Sequence, residues 1–296
     1  MKKAWSETFM QGVFFIAACT SVLAVALICV FLFANGIPAM KEIGLLNFLS
    51  GKTWRPSNGI YGIFPMIIGS IYVTAGAILV GVPIGILTSV FMAKYCPKKI
   101  YPVLKSATEL LAGIPSVVYG FFGIVVLVPL VRDFSRMLKE FGVIERASKG
   151  SSILAASLLL GMMILPTIIG VTESAIRAVP SAYYEGALAL GATHERSIFS
   201  VVLPAAKSGV IAGVVLGIGR AIGETMAVIM VAGNQPRLPE SIMEGVRTLT
   251  ANIVMEMGYA VELHRESLIA TGVVLFVFIL IINLSVSLMN RRGQHD

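Results

Sequence analysis

Six runs of apolar residues, each about as long as a bilayer is thick, leave this chain few folds to choose from. In hydrocarbon every backbone N–H and C=O must find its partner inside the protein, so such runs fold as membrane-crossing helices. They are Val13–Phe33; Ile67–Met92, with Pro83 inside; Leu110–Val131, broken by Pro115 and Pro129; Ile153–Val171, with Pro166; Gly209–Val231; and Leu268–Met289. The expected fold class is all-α and polytopic, with six transmembrane helices. Composition agrees, because 13% of residues are charged, about half the share of a soluble domain. That balance excludes disorder, a coiled coil and an ordinary cytosolic enzyme.

The net charge of +7 reads as basic loops against anionic lipid headgroups. No motif points to nucleic acid. Lys2 and Lys3 precede the first run, which is longer than the 7–15 residues of a signal-peptide core. It is read as an uncleaved span. An even number of spans puts both termini on one side. Either way, eleven Lys and Arg fall on each side, with Arg220 left inside the fifth run. The positive-inside count is therefore a tie, and only the two short basic ends favour cytoplasmic termini. The loop Ala34 to Met66, with Trp54-Arg55-Pro56 and Tyr61-Gly62-Ile63, reads as a re-entrant or interfacial piece. The stretch Asp133 to Lys149 alternates in sign and reads as a solvated helical face.

The loop between the fourth and fifth runs is the most structured in pattern. Pro180-Ser181 starts a helix that Ser181 can cap, and Glu185 lies in its opening turns. Gly191 ends it, and Thr193 can cap a second helix with Glu195 in its first turn. Gly186, Ala187 and Ala189 leave room for another backbone to approach. This spacing resembles the cytoplasmic loop of ABC importer permeases: Glu185, Ala187, Gly191, Leu203 and Pro204 match in register, Gly186 stands for the middle Ala, and Val201 stands for Ile. The resemblance implies a coupling helix seated in a groove of a partner ATPase, with Glu185, Gly186, Ala187 and Gly191 as the coupling residues. It also breaks the charge tie in favour of termini inside.

Four further stretches narrow the resemblance: Tyr61–Thr74, Glu109–Gly123, Leu165–Ile169 and Gly219–Val228. Together they look like the permease subunits of bacterial phosphate ABC importers. The Gly-Arg-Ala-Ile-Gly-Glu-Thr-Met stretch is similar to the C-type subunit rather than its A-type partner. What this implies is the type I importer permease fold, as in methionine importers, and no covalent chemistry on this chain. It also implies a homologous second permease, two ATP-binding cassette subunits, an external phosphate-binding protein, and phosphate as substrate. Residues 1–60 are then an N-terminal helix and external loop, 61–290 the importer core, and 291–296 a cytoplasmic tail in the bacterial inner membrane.

The physical reading of the same residues stands beside this. Arg220 and Glu224 lie four apart on what reads as one helix, so they share a face and can pair. Each unpaired charge at mid-bilayer costs about 2.5–3.5 kcal/mol on the lenient insertion scale. Either the pair is a static salt bridge, or Arg220 presents its guanidinium fork to phosphate while Glu224 keeps the anion from being trapped. Gly213/Gly217 and Gly219/Gly223 are small-residue pairs that line the pathway or pack within one subunit. Gly113-Ile114-Pro115-Ser116 breaks a helix, which is either a packing kink or a mark of the substrate route. Tyr119 is core or pathway-lining. The candidate pathway residues are Arg220, Glu224, Thr225, Ser116 and Tyr119.

Other motif-like stretches carry nothing. For Gly51-Lys52-Thr53 to end a phosphate-binding loop, its first Gly would have to stand at Leu46, so no ATP site and no resident cofactor are expected. His194, His264 and His295 are scattered, and no metal spacing or disulfide framework follows from Cys19, Cys29 and Cys96. Two rival readings remain. One is the same machine for molybdate or sulfate; the other is an ion-coupled secondary transporter acting alone, which would show internal repeats.

Overall fold

All six apolar runs fold as helix in the computed structural model, which describes residues 2–292 and the side chains of residues 9–285. The last four residues, with His295 and Asp296, lie outside the described residues. The chain begins with α1 (Lys2–Ile43), α2 (Leu45–Ser50), a hairpin of β1 (Trp54–Arg55) and β2 (Ile60–Tyr61) around a 3₁₀ turn, and α3 (Phe64–Val90). A π-helical turn at Phe91–Tyr95 extends α3, and α4 (Tyr101–Gly113) follows. The third span is α5 (Ser116–Phe122), a π-helical turn at Gly123–Leu127, and α6 (Val128–Glu140). Next come α7 (Ile153–Ala178), α8 (Ser181–Ala189), α9 (His194–Ser197), a π-helical turn at Ile198–Val202 and α10 (Leu203–Ala205). The chain finishes with α11 (Lys207–Gly223), α12 (Met226–Val231), α13 (Leu249–Glu256) and α14 (Glu262–Arg292). Among the described residues five helices are long and apolar enough to cross a membrane, and the pair 194–205 and 207–223, bent by 71°, makes a sixth.

Two runs expected as single spans are divided. The third begins at Ser116 rather than Leu110, because Ile114 and Pro115 are extended (ψ 127° and 144°). Residues 101–113 therefore form a separate amphipathic helix, α4. The fifth breaks at Glu224-Thr225, where Glu224 takes ψ 134°. Most other spans outrun their hydrophobic runs. Nothing stops α7 at Val171: the next residue that cannot extend a helix is Pro180, and the acidic Glu173 is neutralised within the fold. The alternating stretch after Asp133 is helical only to Glu140, and Gly142 turns the chain at φ 72°.

The core is a layer of helices with α7 in the middle. Val73 and Ala77 of α3, Ile164 and Ile168 of α7, Ala221 of α11 and Ala227 and Val228 of α12 are all buried in one cluster. Ile168 fits between two glycines: a Cβ on Gly85 of α3 would come within 2.7 Å of it, and one on Gly217 of α11 within 2.9 Å. Gly213 likewise faces Thr172, whereas Gly219 and Gly223 have nothing within 4 Å. The first small-residue pair thus packs inside the subunit and the second faces away from it.

The loop after α1 is a folded cap. Phe48, Trp54, Tyr61 and Ile63 are buried against Met66, Leu249 and Leu268, joined by Ala39 and Met40 of α1. The loop after α12 covers the start of α7. Ser152 accepts from the Ala155 N–H at 3.3 Å, and the Ile153 and Leu154 N–H groups donate to the carbonyls of Glu244 and Ile242. The orphan donors of that helix are therefore satisfied.

Candidate functional site

The two broken helices meet. Gly120 of α5 lies against Ala227 and Met230 of α12, where an added Cβ would fall 3.1 Å from the Ala227 Cα. The absence of a side chain is what lets the second halves of both helices approach so closely. Ser116 is the first residue of α5, half-buried, directly after the first break. Tyr119 is buried, and its hydroxyl donates to the Leu111 carbonyl at 2.9 Å. It spans the break and adds a second donor to a carbonyl of the last turn of α4, which also accepts from the Ile114 N–H at 3.4 Å.

Arg220 and Glu224 do not pair. The i,i+4 relation requires continuous helix, and the helix ends at Gly223. The Glu224 carboxylate turns to the next helix instead. Its Oε1 accepts from the N–H of Thr225 at 3.1 Å and of Ala227 at 3.3 Å, so it caps the start of α12. The Glu224 carbonyl accepts from the Thr250 hydroxyl at 3.0 Å, which ties the break to α13. Thr225 is half-buried and its hydroxyl donates to the Gly223 carbonyl. Arg220 is left half-buried with one side-chain contact, Nη1 to the Thr167 hydroxyl of α7 at 3.3 Å. Among the described residues it has no ion pair. A guanidinium carries five donors, so most of this one's hydrogen-bonding capacity is unused among the described residues.

The loop after α7 folds as two short helices. Pro180 occupies the cap position of α8 and Ser181 is the first helical residue, making no capping bond. Ser181 is thus not the cap, because the extended residue at the helix start is the proline. Gly191 takes φ 83°, its N–H donates to the Leu188 carbonyl, and the Ala192 N–H donates to that of Ala187. Crossed bonds of this kind close a helix on a left-handed glycine. Thr193 caps α9 by accepting from the Arg196 N–H at 3.3 Å. The unit is pinned to the end of α3: the Tyr184 hydroxyl meets His194 Nδ1 at 2.6 Å, and the His194 ring stands edge-on to Tyr95. Ala187 is buried beneath the loop, while Glu185, Gly186, Leu188 and Leu190 are exposed, Leu190 to 92%. Beside them a groove of about 360 Å³ is lined by Tyr183, Gly186, Ala187, Leu190, Arg196 and Val201.

Two buried carboxylates escape the sequence reading. Glu173, 1% exposed near the end of α7, accepts from the Tyr101 hydroxyl at 2.6 Å, Lys105 Nζ at 3.0 Å and Arg177 Nε at 2.7 Å. Its hydrogen bond pushes the Tyr101 phenol above its ordinary pKa, with burial adding to the effect. On the opposite side of the molecule Glu256 gathers Trp54 Nε1 at 2.9 Å, His264 Nε2 at 2.9 Å and the Arg247 guanidinium. Only the Glu173–Arg177 spacing of four was visible along the chain; Tyr101, Lys105 and Trp54 lie 68 or more residues from their carboxylates, and Arg247 and His264 come from the loop before α13 and from α14.

Comparison with known proteins agrees with this architecture. The chain is 38% identical over 285 residues to a probable ABC transporter permease protein, YqgH, of Bacillus subtilis, covering 92% of this chain and 89% of that one. It is 35% identical over 265 residues to the phosphate transport system permease protein PstC of Mesorhizobium japonicum, covering 86% and 81%. A probable phosphate transport system permease protein PstC of Methanocaldococcus jannaschii is 33% identical over 282 residues, covering 91% and 89%. Among solved structures, the inward-facing MetNI methionine ABC transporter matches with a TM-score of 0.60 at 18% identity, covering 81% of this chain and 99% of that one. A bacterial alginate ABC transporter matches at 0.62 and 18%, covering 94% of each chain. The fold is thus that of type I ABC importer permeases, in a multi-pass inner-membrane protein. Residues 81–294 match the family described as the binding-protein-dependent transport system inner membrane component, and the chain belongs to that family.

Proposed function

We propose that this chain is the C-type permease subunit of an ATP-driven phosphate importer, forming half of the translocation pathway. The observation that carries the reading is Arg220: a guanidinium about 20 Å along the α11 axis from Lys207, beside a helix break, with a single long bond to Thr167 and no carboxylate partner among the described residues. Such a charge is costly in a bilayer unless it faces protein, water or an anion, and its fork suits a tetrahedral oxyanion. The names of the relatives place phosphate first among the oxyanions.

In this reading Arg220, Thr225 and Ser116 line the route, Glu224 fixes the break that presents Arg220, and Tyr119 holds the facing break closed. Glu185, Gly186, Ala187 and Gly191 form the coupling unit, which docks in a groove of the ATPase on the cytoplasmic side. Both termini are cytoplasmic. The partners are a homologous second permease, which the open Gly219/Gly223 face suits, two ATP-binding cassette subunits and an external phosphate-binding protein. ATP binding closes the ATPases, the coupling helices move, and the path between the permeases opens outward; hydrolysis resets it. Residues 61–290 form the importer core, with 1–60 as an added helix and cap.

The test is labelled-phosphate uptake by cells whose only importer carries Arg220→Gln or Arg220→Lys, at matched membrane levels. Uptake is expected to fall about tenfold or more with Arg220→Gln, the loss of one charge-assisted contact. Normal uptake by this variant removes Arg220 from the route. Uptake that is competed by molybdate or sulfate and insensitive to phosphate assigns the machine to another oxyanion.

A further inference from the structure

We infer that Glu173 is a positioning residue that hands the movement of the coupling loop to the broken helix at the substrate route. The inference rests on the importer reading above. Helix α4 is unusual in this fold because none of its residues is buried. Apolar packing therefore does little to fix where it lies. Among the described residues, the side chains of α4 hydrogen-bond to another element only at Glu173, through the Tyr101 hydroxyl and Lys105 Nζ. The Arg177 guanidinium completes the joint: it bonds the same carboxylate, stacks on the Tyr101 ring at 4.4 Å and donates to the Met92 carbonyl at 2.9 Å. One carboxylate and its arginine thus tie α4, α7 and the end of α3 together.

Its place in the chain gives the joint a direction. Downstream, α7 ends at Ala178 and the coupling helix α8 starts at Ser181, so Glu173 lies two turns from the docking unit. Upstream, one turn and a half along α7, Thr167 holds Arg220. On the other side, α4 runs to the break at Ile114-Pro115, which Tyr119 bridges and Ser116 follows. A shift of α8 moves the end of α7. Through Glu173 that shift is transmitted to α4 and so to the break. Lys105 and Arg177 are partly exposed, 31% and 44%, and can turn to water when the carboxylate is lost. The joint can therefore be opened without stranding a buried cation.

The experiment uses the assembled importer in liposomes, with phosphate import and ATP hydrolysis measured on the same preparation. With Glu173→Gln the complex is expected to assemble and ATP hydrolysis to continue, while phosphate imported per ATP falls about fivefold or more, at the lower end of a typical site-to-site coupling. Tyr101→Phe combined with Lys105→Met opens the same joint from the α4 side, leaves Glu173 paired with Arg177, and should lower the ratio in the same way. A role in stability alone would lower the yield of complex and leave the ratio unchanged. If Glu173→Gln does not assemble, the α4-side variant decides. An unchanged ratio in an assembled variant overturns the inference. A wild-type complex that hydrolyses ATP yet imports no phosphate overturns the importer reading instead.

Discussion

At the scale of single residues, the glycines of α11 divide into two kinds that their spacing does not separate. Gly213 and Gly217 press on α7, whereas Gly219 and Gly223 meet nothing within 4 Å. Replacing Gly217 by Val drives new atoms into Ile168, and overpacking of this kind costs about 1–3 kcal/mol. Gly219→Ala meets open space and gains up to about 1 kcal/mol of helix propensity. Thermal unfolding of the detergent-purified protein should move down for the first and hold or rise for the second. A common downward shift would mean that both faces pack within the chain. Glu224 yields a sharper contrast. As the cap of α12, it should tolerate Glu224→Gln, whose amide oxygen still accepts from the Thr225 and Ala227 N–H groups. Glu224→Leu loses the cap, about 1 kcal/mol. Were the carboxylate the counter-charge of Arg220, Gln and Leu would cost alike, and melting temperatures of the two variants distinguish these cases. The sequence offers Arg220 and Glu224 at i and i+4, and that spacing suggests a pair. The pairing fails because the helix ends at Gly223, a break that Gly223-Glu224-Thr225 holds no proline to announce. The break is fixed by Thr250, 26 residues further on.

At the scale of elements, hydropathy locates the spans well because length and apolarity decide what crosses a bilayer. It locates their ends poorly. The transition from α4 to α5 lies inside one apolar run, and only Pro115 marks it. The loop of α8 and α9 is the best-read element, since its signals are local: a left-handed glycine, a threonine cap and small residues on a short helix. Even there Ser181 is displaced as cap by Pro180. Gly191 at φ 83° is the strictest requirement of that loop. Any side chain there sits in the left-handed region at about 1–2 kcal/mol, and Gly191→Ala should loosen the crossed bonds that end α8. Because the loop is exposed, the melting temperature of the isolated chain should barely change, while the ATPase that co-purifies with it falls several-fold. A substitution at Gly186 has open space around its Cβ, so Gly186→Ala should leave the fold intact. Equal co-purification with Gly191→Ala and wild type would show that the conformation of Gly191 does not shape the docking surface.

At the scale of the whole molecule, one buried carboxylate stands toward each end of the helix layer, and the two differ in what they hold. Glu173, with Arg177, joins the end of α7, the weakly packed α4 and the end of α3, the parts that the inferred linkage moves. Glu256 joins parts of the cap, where Trp54, Arg247 and His264 come from the hairpin, the loop before α13 and α14. Arg247 also holds the Asn234 carbonyl and the Asn252 side chain, so the cap closes on a single anion. Neither network is complete along the chain, because Tyr101 and Lys105 reach Glu173, and Trp54 reaches Glu256, only when the fold brings distant segments together. Their energetics differ accordingly. Arg247 and His264 are 12% and 13% exposed, so loss of Glu256 leaves a buried guanidinium unpaired, and breaking a buried pair costs about 3–5 kcal/mol. Glu256→Gln should therefore lower the melting temperature by several degrees and, in a Trp5→Phe background, shift Trp54 emission to the red as the cap opens to water. Surviving complex should still import phosphate at the wild-type ratio to ATP. Glu173→Gln should show the reverse: a modest thermal shift and a lowered ratio. If both variants lose stability and neither alters the ratio, the two carboxylates serve as equivalent struts, and motion must pass from the coupling loop through the packed face of α7 alone.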